Sequence, residues 1–188
     1  MDKDVVEIRR PTRAELAAAV NKTVPDLIGP NLKVLFVGIN PGLYSGAVGH
    51  HFARPGNRFW PALHRGGLTD RVISPFEERE MLELGLGITN LVPRTTATAD
   101  QLTRDELVAG AKTIARKVRR YRPKIVAFVG ITAFRIAFNK PKAVLGEQEE
   151  KLADSRVWVL PNPSGLNAHH QLEDLGRMFA AVREAAEE

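Results

Sequence analysis

Lys33-Val34-Leu35-Phe36-Val37-Gly38-Ile39-Asn40-Pro41-Gly42 decides the fold. An unbroken apolar run of strand length, without polar alternation, is what a β-strand covered on both faces requires. It stops at Asn-Pro-Gly, where the proline drives the residue before it out of the helical region and the glycine lets backbone N–H groups come close to a flat ligand. The same design returns about 120 residues later in Val157-Trp158-Val159-Leu160-Pro161, followed by Asn162-Pro163-Ser164-Gly165-Leu166-Asn167. Ligands of open α/β sheets bind in the crevice beyond the carboxyl ends of the strands, so both turns are expected to face one pocket. Each turn carries a carboxamide and no charge, a group able both to donate and to accept, suited to orienting a water or pairing with the edge of a base. Asn-Pro-Gly is also ordinary turn chemistry, so one copy alone would decide nothing.

Outward from these turns, strand-like and helix-like segments alternate. Thr12-Arg13-Ala14-Glu15 reads as a capping box opening a first helix that ends near Pro25, and Gly29-Pro30 turns into the first strand. Gly42 to Gly56 reads as a long glycine-rich loop, and Asn57 to Gly66 as a helix with Phe59, Trp60 and Leu63 at core spacing. Pro75-Phe76-Glu77-Glu78 opens another helix before a strand from Leu86 to Leu91. A third polar strand end follows there, with Asn90 in Thr89-Asn90-Leu91-Val92-Pro93. Thr103-Arg104-Asp105-Glu106 is a second capping box, opening a helix to Tyr121 whose cationic tail complements the helix dipole. A strand from Ile125 to Gly130, a short helix from Thr132 to Phe138, an irregular charged stretch from Lys140 to Asp154 and a helix from Gln171 to Ala186 complete the chain. The expected fold is a three-layer α/β/α sandwich around a central, mainly parallel sheet. Residues 1–188 are expected to form one domain, with 1–30 an N-terminal extension and helix whose first eleven or so residues are charged and loose.

Composition narrows the chemistry. The chain has 188 residues, 26% of them charged and 44% apolar, which is ordinary for a globular protein and disfavours disorder. Its longest apolar runs are far short of a bilayer span, and Met1-Asp2-Lys3-Asp4 opens no secretory signal, so no membrane partner and a cytoplasmic, nucleoid-associated location are expected. With no cysteine, disulfides, thiol catalysis and cysteine-ligated zinc or iron–sulfur centres are excluded. His50, His51, His64, His169 and His170 lack the spacing of a ligand set, and adjacent histidines on a strand would point to opposite faces, so neither metal nor cofactor is expected. The formal charge of +5 favours a polyanionic partner.

Three separated motifs make the reading specific: Gly38-Ile39-Asn40-Pro41-Gly42, then Gly49-His50-His51-Phe52 with Pro55-Gly56-Asn57-Arg58-Phe59-Trp60, then Asn162-Pro163-Ser164-Gly165-Leu166. In this order and on these element ends they resemble the mismatch-specific uracil/thymine DNA glycosylases, a branch of the uracil-DNA glycosylase superfamily, from about Leu32 to about Ala181. The resemblance implies that a monomeric enzyme excises uracil, and thymine or other 5-substituted pyrimidines, from G·U and G·T mismatches in double-stranded DNA. It implies that Asn40 orients the attacking water and that Phe52 stacks on the flipped base. Asn162 would bond the base edge or the flanking backbone, with Ser45 and Ser164 in support, and Asn90 would be an amide close to Asn40. Backbone N–H groups near Ile39 and Phe52 would face the leaving group, and Leu166, carried on Ser164, Gly165 and Asn167, would wedge into the vacated stack.

Two residues bear on specificity. Gly42 stands where bulk would be needed to exclude a 5-methyl group, and Ala168 stands where bacterial members often have an arginine after the wedge. The second difference puts recognition of the opposite guanine in doubt, for which Asn167 or His169 would have to compensate. An amide cannot take the water's proton as a carboxylate can. Asp100 has no evident structural duty, and if its loop folds over the pocket it would supply a general base or stabilise the oxocarbenium ion. Two other functions stay open on residues alone: a hydrolase of free nucleosides, and a module that binds mismatched or damaged DNA without cutting it.

Overall fold

The computed structural model describes residues 9–188. Four parallel strands form its centre: β1 (Val34–Gly38), β2 (Leu86–Asn90), β3 (Ile125–Val129) and β5 (Arg156–Leu160), with the short β4 (Gly146–Glu147) antiparallel against β5. Their order across the sheet is β2-β1-β3-β5-β4. The chain leaves β1 to one side to reach β2 and then returns across it to β3, so β1 lies at the point where the winding reverses.

Pleating divides the apolar runs between two cores. Val34 and Phe36 share one face with Leu86, Ile88, Ile125, Ala127, Val129 and Leu160, under α3 (Phe59–Arg65) and α7 (Leu172–Glu187). Leu35 and Val37 share the other with Val126, Phe128, Val157 and Val159, under α5 (Arg104–Tyr121) and α6 (Ile131–Ala137). A strand apolar at every position is therefore buried on both sides, and the expected α/β/α sandwich with a mainly parallel sheet is the observed architecture. Phe59, Trp60 and Leu63 are core residues as their spacing required. The capping boxes at Thr12 and Thr103 both form, at α1 (Arg13–Ala18) and at α5.

Four local readings change. The first helix, expected to run to near Pro25, is α1 and ends at Ala18. The stretch from Gly42 to Gly56 is not all loop, because α2 (Leu43–Val48) lies inside it with Gly42 and Gly49 as its caps, Gly49 at φ 76°. The glycines that signalled a loop are helix ends. The segment opened by Pro75 is a single 3-10 turn (Pro75–Glu77) followed by α4 (Glu80–Glu83), with no longer helix. His50 and His51 lie in a turn and not on a strand, and both reach Glu78: His50 Nδ1 at 3.0 Å from Oε1, and the His51 N–H donating to Oε2 at 2.9 Å.

The stretch after α1 is part of the body. Leu27 exchanges backbone hydrogen bonds with Ile88 at 2.9 and 2.8 Å, covering the outer edge of β2, and Ala19, Val24 and Leu27 are buried. The charged terminus read over the first eleven residues falls for the most part outside the described residues.

The layers meet tightly where α5 crosses the end of β2. A Cβ added at Gly110 would overlap the carbonyl oxygen of Leu91. Gly110→Ala is therefore expected to destabilise the fold by roughly 1–3 kcal/mol through forced separation of helix and strand, read as a lower midpoint in urea with the slope unchanged.

Candidate active site

Three parallel strands deliver one carboxamide each to the same rim of the sheet. β2 ends at Asn90, β1 leads through Ile39 to Asn40, and β5 leads through Pro161 to Asn162. They line a single cavity of ≈ 480 Å³ together with Ile39, Gly42, Ser45, Phe52, Ser164 and Leu166. That volume lies inside the ~300–1,000 Å³ span of small-molecule sites. The two distant Asn-Pro turns and the Phe52 ring line one cavity.

Asn40 is held by its nitrogen. Nδ2 donates to the carbonyls of Pro41 (3.2 Å) and Arg94 (3.0 Å) and to Thr96 Oγ1 (2.7 Å). The Thr96 hydroxyl spends its own proton on the Thr98 carbonyl at 2.8 Å, so it can only accept from Asn40. Three acceptors around one side-chain atom fix that atom as the nitrogen, and Oδ1 is left to the cavity as an acceptor. Asn162 is held the opposite way. Its Oδ1 accepts the Ser164 N–H at 2.9 Å, which leaves Nδ2 as a donor. Two residues of the same type thus present opposite polarity, a narrower statement than the donor-and-acceptor capacity read from sequence.

Phe52 forms the plate between them. Its backbone sits at φ 49°, in the left-handed region that side chains seldom adopt, at the end of the turn that carries His50 and His51. One face of its ring stacks on Phe59, centroids 4.1 Å apart and planes at 22°, and Phe59 in turn meets Phe36 and Phe179 of the core. The aromatic plate is a continuation of the core and has no freedom to swing away. Gly38 is required beside it, since a Cβ there would sit 2.5 Å from Asn90 Oδ1 and 3.3 Å from the Phe52 ring.

His51 sets the floor. It is 2% exposed, and its Nε2 lies 2.8 Å from the Pro25 carbonyl, which can only accept, so that nitrogen carries the proton. Burial holds its pKa below the ordinary 6.5, against the opposing pull of Glu78, the Pro25 carbonyl and Asp26. The neutral ring turns a bare Nδ1 toward Asn90 Nδ2 at 3.5 Å, and Asn90 Oδ1 lies against Gly38. Ser45 is buried and accepts the Ala53 N–H at 3.2 Å, tying α2 to the loop behind Phe52.

The remaining sequence candidates fall outside the cavity. Asp100 lies exposed in a 3-10 turn (Ala99–Gln101), and its carboxylate accepts from Thr98 Oγ1. The structural duty that the sequence did not show is there, and Asp100 is absent from the lining. Gly165 and Asn167 sit on the loop behind Leu166. Asn167 donates through Nδ2 to the Asn162 carbonyl at 3.0 Å and accepts through Oδ1 from the His169 N–H at 3.1 Å, so both ends of its amide are used inside the loop. Leu166, at the tip, is 79% exposed.

Reasoning from sequence missed Thr96, Glu78 and the Arg94–Glu106 pair. The Arg94 guanidinium grips Glu106 at 2.5 and 3.0 Å and holds its carboxyl down to about 2. That grip fixes the segment whose Arg94 carbonyl and Thr96 hydroxyl seat Asn40. Their partners are far away along the chain, and no short motif announces them.

This architecture is that of a known class. Residues 25–187 match the uracil DNA glycosylase superfamily, and the chain belongs to it. A solution NMR structure of a proposed uracil DNA glycosylase from Methanosarcina acetivorans is similar over 87% of this chain and 99% of that one, with a TM-score of 0.56 at 16% identity. The family supports a DNA-repair glycosylase acting on DNA.

A histidine kept neutral by burial makes stability pH-dependent in one direction. As the pH falls below about 6.5 the unfolded chain takes up the His51 proton before the folded chain does, so stability is lost on the acid side and unaffected above it. Thermal melts between about pH 8 and 5 are expected to show that decline, and His51→Gln to flatten it.

Proposed function

We propose that this chain removes uracil, and thymine or other 5-substituted pyrimidines, from G·U and G·T mismatches in duplex DNA by hydrolysing the N-glycosidic bond, leaving an abasic site. The observation that carries this reading is the opposed polarity of two amides across one aromatic-walled cavity. A base in the stack is out of reach, so the nucleotide must first be extruded at a cost of a few kcal/mol, least for a mispair. Stacking of the everted ring on Phe52 returns roughly 1–3 kcal/mol. Leu166, exposed on its loop, occupies the space left behind.

Asn40 Oδ1 accepts a hydrogen from a water and aims its lone pair at the sugar carbon. The new C–O bond forms as the C–N bond breaks, the base keeping the electron pair and the water's second proton passing to solvent. Negative charge spreads onto the carbonyl oxygens of the departing base, where the free Nδ2 of Asn162 donates; a single donor aimed at developing charge is worth roughly 10²–10³ in rate. Among the described residues no carboxylate lines the cavity, and this mechanism assigns no step to Asp100. A 5-substituent is admitted at Gly42, which lines the cavity and where an added Cβ would meet nothing within 4 Å. Because Ala168 brings no cation and the Asn167 amide is occupied, preference for the opposite base rests mainly on the ease of opening the pair.

A G·U duplex incubated with the protein and then with alkali is expected to break at the uracil. Asn40→Ala should slow this by about 10²–10⁴, Thr96→Val by less, and Asp100→Asn not at all. Binding without strand breakage would leave only a recognition module, and release from free nucleosides at the duplex rate would leave a nucleoside hydrolase. Gly42→Leu is expected to suppress thymine release more than uracil release in paired single-turnover assays.

A further inference from the structure

We propose that Arg58 is the positioning residue that sets the wedge, by holding the loop from Pro163 to His170 against the loop that carries Phe52. This rests on the glycosylase reading and adds to it a residue that acts on extrusion of the base. The Arg58 guanidinium gathers three carbonyls of that loop, spaced three residues apart: Nη2 donates to Ser164 (2.9 Å) and Asn167 (3.0 Å), and Nη1 donates to His170. Its backbone N–H donates to Pro163 at 2.9 Å. Asn57 Oδ1, next to it, caps the start of α3 through the Phe59 N–H at 2.9 Å, so the cation stands on a fixed platform.

The loop leans on the same platform at a second point. A Cβ at Gly165 would come 2.8 Å from the Gly56 carbonyl, so the wedge loop packs backbone to backbone against Pro55-Gly56-Asn57. One planar cation cross-links three main-chain oxygens of a loop whose own backbone bond is Asn167 N–H to the Ser164 carbonyl at 3.0 Å, and charged hydrogen bonds of this kind are the strong ones. The consequence is a wedge whose backbone is ordered before it meets DNA. Leu166 projects from a clamped arch, and the arch and the Phe52 plate share one support.

If Arg58 works through the wedge, removing it and removing Leu166 should not add. Single-turnover uracil release from a G·U duplex would be measured for wild type, Arg58→Gln, Leu166→Ala and the double variant. Arg58→Gln is expected to lose roughly tenfold or more in the wild-type background, from the charged hydrogen bonds removed, and close to nothing in the Leu166→Ala background. Fluorescence of 2-aminopurine beside the uracil should show slower base opening in Arg58→Gln. Arg58→Lys keeps a cation but loses the planar fork, so partial recovery is expected, and it stands in should Arg58→Gln fail to fold. Equal losses in both backgrounds, or no loss in either, would overturn the proposal. A wild-type protein that releases no uracil would instead overturn the glycosylase reading.

Discussion

The seat of the Asn40 amide nitrogen is the constraint on which the site depends. Two carbonyls and a hydroxyl whose proton is already committed surround Nδ2. Turning the amide over would set an oxygen against three oxygens, and a buried acceptor without a donor costs roughly 1–3 kcal/mol. The orientation is therefore built in before any substrate arrives. Its acceptors come from the segment after β2, which the Arg94–Glu106 pair locks onto the first turn of α5. The amide just past the end of β1 is thus aimed by a loop from the neighbouring strand and a salt bridge to a helix.

The same economy runs across the cavity. Asn40, Asn90 and Asn162 share a residue type and a place at strand ends, yet each is turned by different partners: carbonyls and a hydroxyl for the first, a neutral imidazole for the second, a backbone N–H for the third. Directional neutral groups replace charge in a site built to meet a polyanion. Arg54 brings a positive charge to the lining, and among the described residues no carboxylate stands there to repel phosphates. A pocket of this kind gives up strong general-base catalysis, since an amide oxygen does not take a proton at neutral pH. On the proposed mechanism its rate comes from holding the water in line and from stabilising a base that leaves as an anion.

Most of the sheet was legible in the sequence because an apolar run without alternation has few other homes than a two-sided parallel core. The strand ends were legible too, as the Asn-Pro turns at Asn40 and Asn162 follow within two residues of where β1 and β5 end. Helix α2 was not, because Gly42 and Gly49 look the same in sequence whether they punctuate a loop or cap a helix. Asp100 looked unspent because its partner is the hydroxyl of Thr98, and such a pairing has no sequence signature. Thr96, Glu78 and Arg58 escaped notice for another reason. They act on residues 56, 28 and 106 positions away, and only the folded sheet brings those positions together.

The two halves of the site are also mechanically one. Phe52 rests on Phe59 at the start of α3, and Arg58, one residue earlier, grips the loop of Leu166. The plate and wedge of the proposed function are therefore supported from adjacent residues of one stretch of backbone. On the proposed function, extruding a nucleotide uses both at once, since either alone leaves a gap in the duplex or an unheld base outside it. Had plate and wedge been mounted on separate flexible loops, the cost of ordering each would be drawn from binding energy at every encounter. Mounting them on adjacent residues of a helix buried in the core moves that cost into folding. On the proposed function, that leaves binding energy to meet the few kcal/mol of extruding a nucleotide.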